Sequence, residues 1–310
     1  MAEVAVARSP EAPSRTLLIL AFGALYVIWG STYLAIRFAL ETTPPFLMAG
    51  ARFVVAGGLL FLWARWRGAP APNRRELGAA VVIGALLLVG GNGGVVWAEQ
   101  RVPSSLAALL VSIMPLWVVL GDWLRPGGSA PSRGVWLGVL GGLVGVVYLI
   151  DPTRALGSGA IDPMGAVVLV LATLSWAVGS MWSRGAPVPA SPILGTGIQM
   201  LAGGVLLLLL AAGTGEFGSF AWREVSARSA LALGYLVVFG AIVAYTAYVW
   251  LLRVAPTARV ATYAYVNPVV AVFLGWAFAG EELTSRTLVA AAVILGAVAL
   301  VTTAKNRAPA

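Results

Sequence analysis

The chain has 310 residues, 60% of them apolar and 10% charged, whereas soluble domains carry about 25% charged residues, so lipid solvates most of its surface. Cysteine and histidine are both absent, which removes disulfides, thiolate and imidazole metal ligands, Cys nucleophiles and His-based acid–base chemistry. The net charge of +8 comes mostly from arginines flanking apolar runs, a pattern set by membrane topology and not by nucleic acid.

Apolar runs between polar or Pro/Gly breaks predict membrane-spanning helices over 16–38, 45–64, 77–98, 103–123 and 133–150. A second set follows over 163–183, 191–212, 229–252, 257–279 and 286–303. None of these runs shows the strict alternation of barrel strands, so the expected fold class is an all-α integral membrane protein. The first run is longer than the apolar core of a cleavable signal peptide and has a counterpart in the sixth.

The two sets repeat each other. Val96, Trp97, Pro103, Ala108, Pro115, Val119 and Trp123 stand 153 residues before Val249, Trp250, Pro256, Ala261, Pro268, Val272 and Trp276. Earlier in each half the interval is 146 to 147: Trp29 answers Trp176, Pro45 answers Pro192, and Ala56-Gly57-Gly58 answers Ala202-Gly203-Gly204. Five spans per copy force the second copy to enter the bilayer inverted, the usual plan of secondary transporters. The expected organisation is a tail over 1–15, one repeat over 16–153, a second over 154–303, and a tail over 304–310. With ten spans, thirteen basic residues fall on the side of both termini and six on the other, which places both termini in the cytoplasm.

Three motifs carry a family resemblance over about 17–303. They are Tyr26-Val27-Ile28-Trp29-Gly30-Ser31-Thr32-Tyr33, then Gly91-Asn92-Gly93 with Ala98-Glu99, then Thr262-Tyr263-Ala264-Tyr265-Val266-Asn267-Pro268-Val269-Val270-Ala271 with Gly280-Glu281. With them the chain resembles the EamA family of the drug/metabolite transporter superfamily, whose bacterial members include amino-acid exporters. The resemblance implies an inner-membrane exporter acting as a monomer or weak homodimer, and a central cavity lined mainly by spans one, three, four, six, eight and nine. It implies small-molecule substrates and no cofactor.

The residues suggest what such a cavity offers. Tyr26, Gly30, Tyr33 and Arg37 follow at steps of four, three and four along one helical stripe, with Trp29 beside it, and span six echoes it with Trp176, Ser180 and Ser183. Such stripes either line a solute path or form a small-residue packing seam. Asn92 and Asn267 supply donors and acceptors suited to a zwitterion, or else bond neighbouring helices. Tyr245 and Tyr248 share a face, and at least one is expected to meet the cavity. The candidate substrate-binding residues are Trp29, Tyr33, Asn92, Trp176, Ser180, Tyr245, Tyr248, Tyr263 and Asn267, with no catalytic or metal-binding set.

Charged residues sharpen the expectation. Arg52 lies inside span two, where a peripheral position and snorkelling to an interface would give it a structural role. Glu99, Asp122, Glu281 and Glu282 fall at span ends, so downhill or exchange transport is expected and proton coupling is not. A pump would need a phosphate-binding loop, yet the sole lysine is Lys305. An enzyme would need clustered acids, and a channel would need rings of charge or carbonyls. A nucleotide-sugar carrier would need cavity cations, for which Arg37 and Arg101 are the candidates. The expected solute is therefore small, not strongly charged, and of the amino-acid class foremost.

Overall fold

The computed structural model describes residues 14–124, 132–150, 162–255, 260 and 262–305, and among these every regular element is helical. The long helices are α1 (Arg15–Ala39), α2 (Pro45–Trp66), α3 (Arg74–Ala98), α4 (Ser104–Leu124), α5 (Arg133–Ile150), α6 (Pro163–Ser183), α7 (Pro192–Gly213), α8 (Ala227–Val254), α9 (Tyr263–Ala279) and α10 (Ser285–Lys305), with two short turns of helix at Glu216–Ser219 and Trp222–Glu224. Seven of them, α1 to α4 and α6 to α8, are long and apolar enough to cross a bilayer. The other three are apolar over the shorter stretches Arg133–Leu149, Val266–Ala279 and Ser285–Val301. Residues 257–259 and 261 at the start of the expected ninth span, and the repeat position Pro256 before it, lie outside the described residues.

Local chemistry sets the helix ends. Prolines stand in the first turns of α2, α6 and α7, where a missing N–H costs nothing. Asn73 and Glu76 form a reciprocal cap on α3, Asp162 accepts from Met164 and Gly165 at α6, and Gly280, at φ 63°, ends α9 in the left-handed conformation that suits glycine. Leu62, Trp66, Leu137, Leu209 and Phe278 point outward and are exposed, as side chains that meet acyl chains must be.

Helices related by the sequence repeat pack against each other. The contact of α2 with α7 is the most extensive in the molecule, and α5 with α10 the next. At the α2–α7 crossing, a Cβ on Gly57 would lie 2.7 Å from the Leu201 nitrogen, and one on Gly204 would lie 2.7 Å from the Val54 nitrogen. The backbones touch because those side chains are missing. Cross-half contacts also join α1 to α9 and α4 to α6.

The helices around the centre are irregular. Wider i→i+5 turns run through Ala24–Ile28 of α1, Ala85–Gly93 of α3 and Leu236–Tyr245 of α8. Such turns concentrate at functional sites because they leave carbonyls and re-aim side chains. The stretches in α3 and α8 sit at corresponding places in the two halves. In α4 the helix breaks at Ser112–Ile113, ahead of Pro115, whose ring and missing N–H interrupt the ladder. Its counterpart Pro268 lies within α9.

Candidate solute-binding site

The irregular helices enclose a cavity of about 80 Å³ at the centre of the bundle. Of the nine residues expected to bind solute, Trp29, Tyr33, Asn92, Trp176, Tyr245, Tyr263 and Asn267 line it. Three pairs of lining residues are also repeat partners: Trp29 with Trp176, Asn92 with Tyr245, and Met114 with Asn267. The expected helices α1, α3, α4, α6, α8 and α9 all contribute, and α2 joins them through Arg52 and Phe53.

Ser180 and Tyr248 stand behind this wall. Tyr248 is buried against Trp29, Trp176 and Tyr263, with ring centroids 5.0, 5.8 and 6.0 Å apart. Its hydroxyl is 2.7 Å from the Ser180 hydroxyl and accepts the Trp176 indole N–H at 3.3 Å. The Trp29 indole donates to the Gly240 carbonyl at 3.2 Å, tying α1 to the wide turn of α8. Trp29 and Trp176 meet edge to face at 5.7 Å. These fixed rings present apolar faces to whatever occupies the cavity.

The single stripe expected on α1 divides in two. Trp29, Tyr33 and Ile36 face the cavity. Gly30 faces α9, where a Cβ would lie 2.7 Å from Val270, and the Tyr26 hydroxyl bonds the Thr262 hydroxyl at 2.7 Å. Trp29, Tyr33 and Ile36 share one face of the regular stretch Trp29–Ala39, and Gly30 stands about 100° around the helix from Trp29.

The two asparagines differ. With its amide nitrogen turned toward α1, Asn267 donates to the carbonyls of Leu25 and Tyr26 at 3.0 and 3.1 Å and of Tyr263 at 3.2 Å. Two of those carbonyls belong to the wide turn of α1, so Asn267 satisfies groups that a regular ladder would have used. The Asn92 side-chain oxygen is buried without a hydrogen-bond partner.

Two charged residues depart from expectation. Arg52 does not snorkel to an interface: it is 3% exposed and lines the cavity. The all-round apolar α2 turns it inward, its Nε donates to the Leu236 carbonyl at 3.1 Å, and its guanidinium lies 4.7 Å from the Phe53 ring centre. The cavity is therefore not neutral. Glu99 does sit at the end of α3, yet it is buried and neither carboxylate oxygen has a hydrogen-bond partner.

At the same end of the bundle Glu281 accepts from Arg37, from the backbone of Ser104 at 2.9 Å and its hydroxyl at 2.6 Å, and from the backbone of Ser105 at 3.0 Å. Its position beyond α9 was legible; its three-way role was not. That end is also laced by Arg101–Asp162 and Arg228–Glu41 ion pairs and by the Glu216 carboxylate on the first N–H groups of α2.

Comparison with known proteins gives a consistent picture. Residues 16–150 and again 163–303 match the EamA-like transporter family. The chain is 41% identical over 288 residues to the uncharacterized inner membrane transporter YedA of Escherichia coli (strain K12), covering 93% of this chain and 91% of that one. It is 26% identical to the uncharacterized transporter YvbV of Bacillus subtilis (strain 168), over 94% of this chain and 92% of the relative. Protein PecM of Dickeya dadantii (strain 3937) is 28% identical over 88% of each. A solved crystal structure at 21% identity superposes with a TM-score of 0.65 over 95% of this chain and 100% of the other, a likeness of fold alone.

Proposed function

The chain belongs to the EamA-like transporter family, and on that premise we propose that it is a secondary carrier of small organic metabolites, amino acids foremost. Membership makes it a multi-pass inner-membrane transporter. In our reading all ten helices cross the bilayer as two inverted five-helix repeats, over 16–153 and 154–303, and both termini face the cytoplasm. The end sealed by Arg37 and Glu281 is then periplasmic, and the end held by the Tyr26–Thr262 contact is cytoplasmic.

The observation that carries this reading is one cavity shared by both halves, with repeat-related residues on its walls and α1 bonded to the second half on either side of Trp29 and Tyr33, at Tyr26–Thr262 and at Arg37–Glu281. Two bundles that rock about such a site expose it to each side in turn. Aromatic faces suit apolar side chains, and Asn92 and Arg52 offer polar contacts to the head of an amino acid. Among the described residues no carboxylate lines the cavity, which supports downhill or exchange transport over proton-coupled transport.

The test is counterflow in proteoliposomes loaded with unlabelled amino acids, nucleobases or sugar phosphates. Transient accumulation of labelled amino acid against amino-acid-loaded vesicles is the expected result. Accumulation only with one of the other classes would reassign the substrate.

A further inference from the structure

The cavity holds one donor and one acceptor that nothing in the protein satisfies. Arg52 is nine-tenths or more buried, lines the cavity, and its Nη1 has no hydrogen-bond partner. Asn92 lines the same cavity, and its Oδ1 likewise has none. A buried guanidinium that keeps a free N–H in a membrane protein is costly unless something supplies an acceptor. Among the described residues no Asp or Glu lines the cavity to do so.

The surroundings hold the guanidinium in place without neutralising it. The Leu236 carbonyl accepts from Nε, and the Phe53 ring packs against the plane. Leu236 opens the wide turn of α8, and Gly240 in that turn leaves the space the guanidinium needs: a Cβ there would lie 2.8 Å from Nη2. The planar fork is thus aimed, with Nη1 unused, a geometry that suits the two oxygens of a carboxylate.

Resting on the carrier reading above, we infer that Arg52 is the anchor for the substrate's carboxylate and Asn92 Oδ1 the acceptor for its neighbouring N–H or O–H donor. The substrate class narrows to small amino or hydroxy acids whose apolar side chain lies against Trp29 and Trp176. A neutral amide of the same acid leaves the Arg52 charge unmatched and is rejected.

The experiment uses the full-length protein in proteoliposomes and measures competition for counterflow by leucine, phenylalanine and their carboxamides. In the wild type each acid is expected to compete at least ten-fold better than its amide. Arg52→Lys retains part of that preference, and Arg52→Met brings the acid-to-amide ratio close to one. Gly240→Ala, which crowds the guanidinium without removing its charge, is expected to raise the acid's KM more than it lowers kcat. The wild-type acid–amide comparison stands even if a variant fails to insert. Equal competition by acids and amides in the wild type, or an acid preference that survives Arg52→Met, overturns the assignment. If the wild type exchanges none of these compounds but does exchange nucleobases or sugar phosphates, the amino-acid reading itself has failed, and this anchor with it.

Discussion

Arg37 on α1 donates to the Glu281 carboxylate, which lies beyond α9 and simultaneously accepts the first two backbone N–H groups of α4. One side chain thus joins three segments from both halves. A carboxylate at a helix start satisfies orphan donors and meets the positive end of the helix dipole. Arg37 is 38% exposed and Glu281 only 4% exposed in their side chains, so the acid is the member that depends on its partners.

The first prediction follows from this latch. Removing the carboxylate by Glu281→Ala loses charge-assisted hydrogen bonds worth about 1.5–3 kcal/mol each. The chain has no cysteine, so a single Val95→Cys on the cavity wall can be labelled without background. Its modification from the latch side should rise about ten-fold or more in the Glu281→Ala background, and unchanged labelling would contradict the latch.

The dependence on pH separates two acids. Burial works to raise the Glu281 carboxyl, but the hydrogen bonds from Ser104 and Ser105 outweigh it and hold the group below its usual range. Its contribution is complete above the ordinary carboxylate value of about 4.3 and is lost only as pH falls through the depressed one. Glu99, the residue after α3, goes the other way: burial raises it well above its usual value, Glu281 adds to the rise, and Arg37 opposes it. The closed form binds that proton more tightly, so its stability falls as pH rises from about 4.3 toward the raised value. Latch-side labelling of Val95→Cys should therefore increase from pH 5 upward, and Glu99→Gln should flatten the profile. A profile already flat in the parent protein would contradict this.

Behind the cavity, Tyr248→Phe deletes the hydroxyl shared by Ser180 and the Trp176 indole. A loss of about 0.5–1.5 kcal/mol is expected, the net worth of a typical hydrogen bond. Thermal unfolding in detergent should show a lower Tm for Tyr248→Phe and for Ser180→Ala, and the double variant should lose less than the two losses added.

At the α2–α7 crossing, Gly57→Ala places a Cβ 2.8 Å from the Gly197 carbonyl oxygen and 2.7 Å from the Leu201 nitrogen, both backbone atoms that cannot swing aside. Overpacking of about 1–3 kcal/mol is expected. Its neighbour Gly58 has nothing within 4 Å of an added Cβ, so Gly58→Ala should leave Tm unchanged or slightly raised. Equal melting of the two variants would contradict the close approach.

Much of this was legible in the sequence, for identifiable reasons. Apolar length and Pro/Gly punctuation placed helices such as Pro163–Ser183 at the expected residues, and the 147-residue interval paired Trp29 with Trp176, which meet edge to face at the cavity. The inward placement of Arg52 is not legible, because α2 is apolar all round and periodicity gives no inward face. The split of the α1 stripe depends on which helix packs against each residue, Val270 of α9 against Gly30 and the cavity against Tyr33, which the spacing alone does not tell apart. Glu99 and Glu281 were visible as span-end acids. That one is buried without partners while the other holds three segments together depends on contacts far apart in sequence.

The most direct measurement of the central claim is two-sided labelling of Met114→Cys, a cavity-wall position next to Pro115. A membrane-impermeant maleimide would be applied to right-side-out and to inverted vesicles, with and without the exchanged amino acid. The account predicts modification from both sides, slowed from both by the solute. Modification from one side alone, whatever solute is present, would contradict a shared site that opens to each compartment in turn.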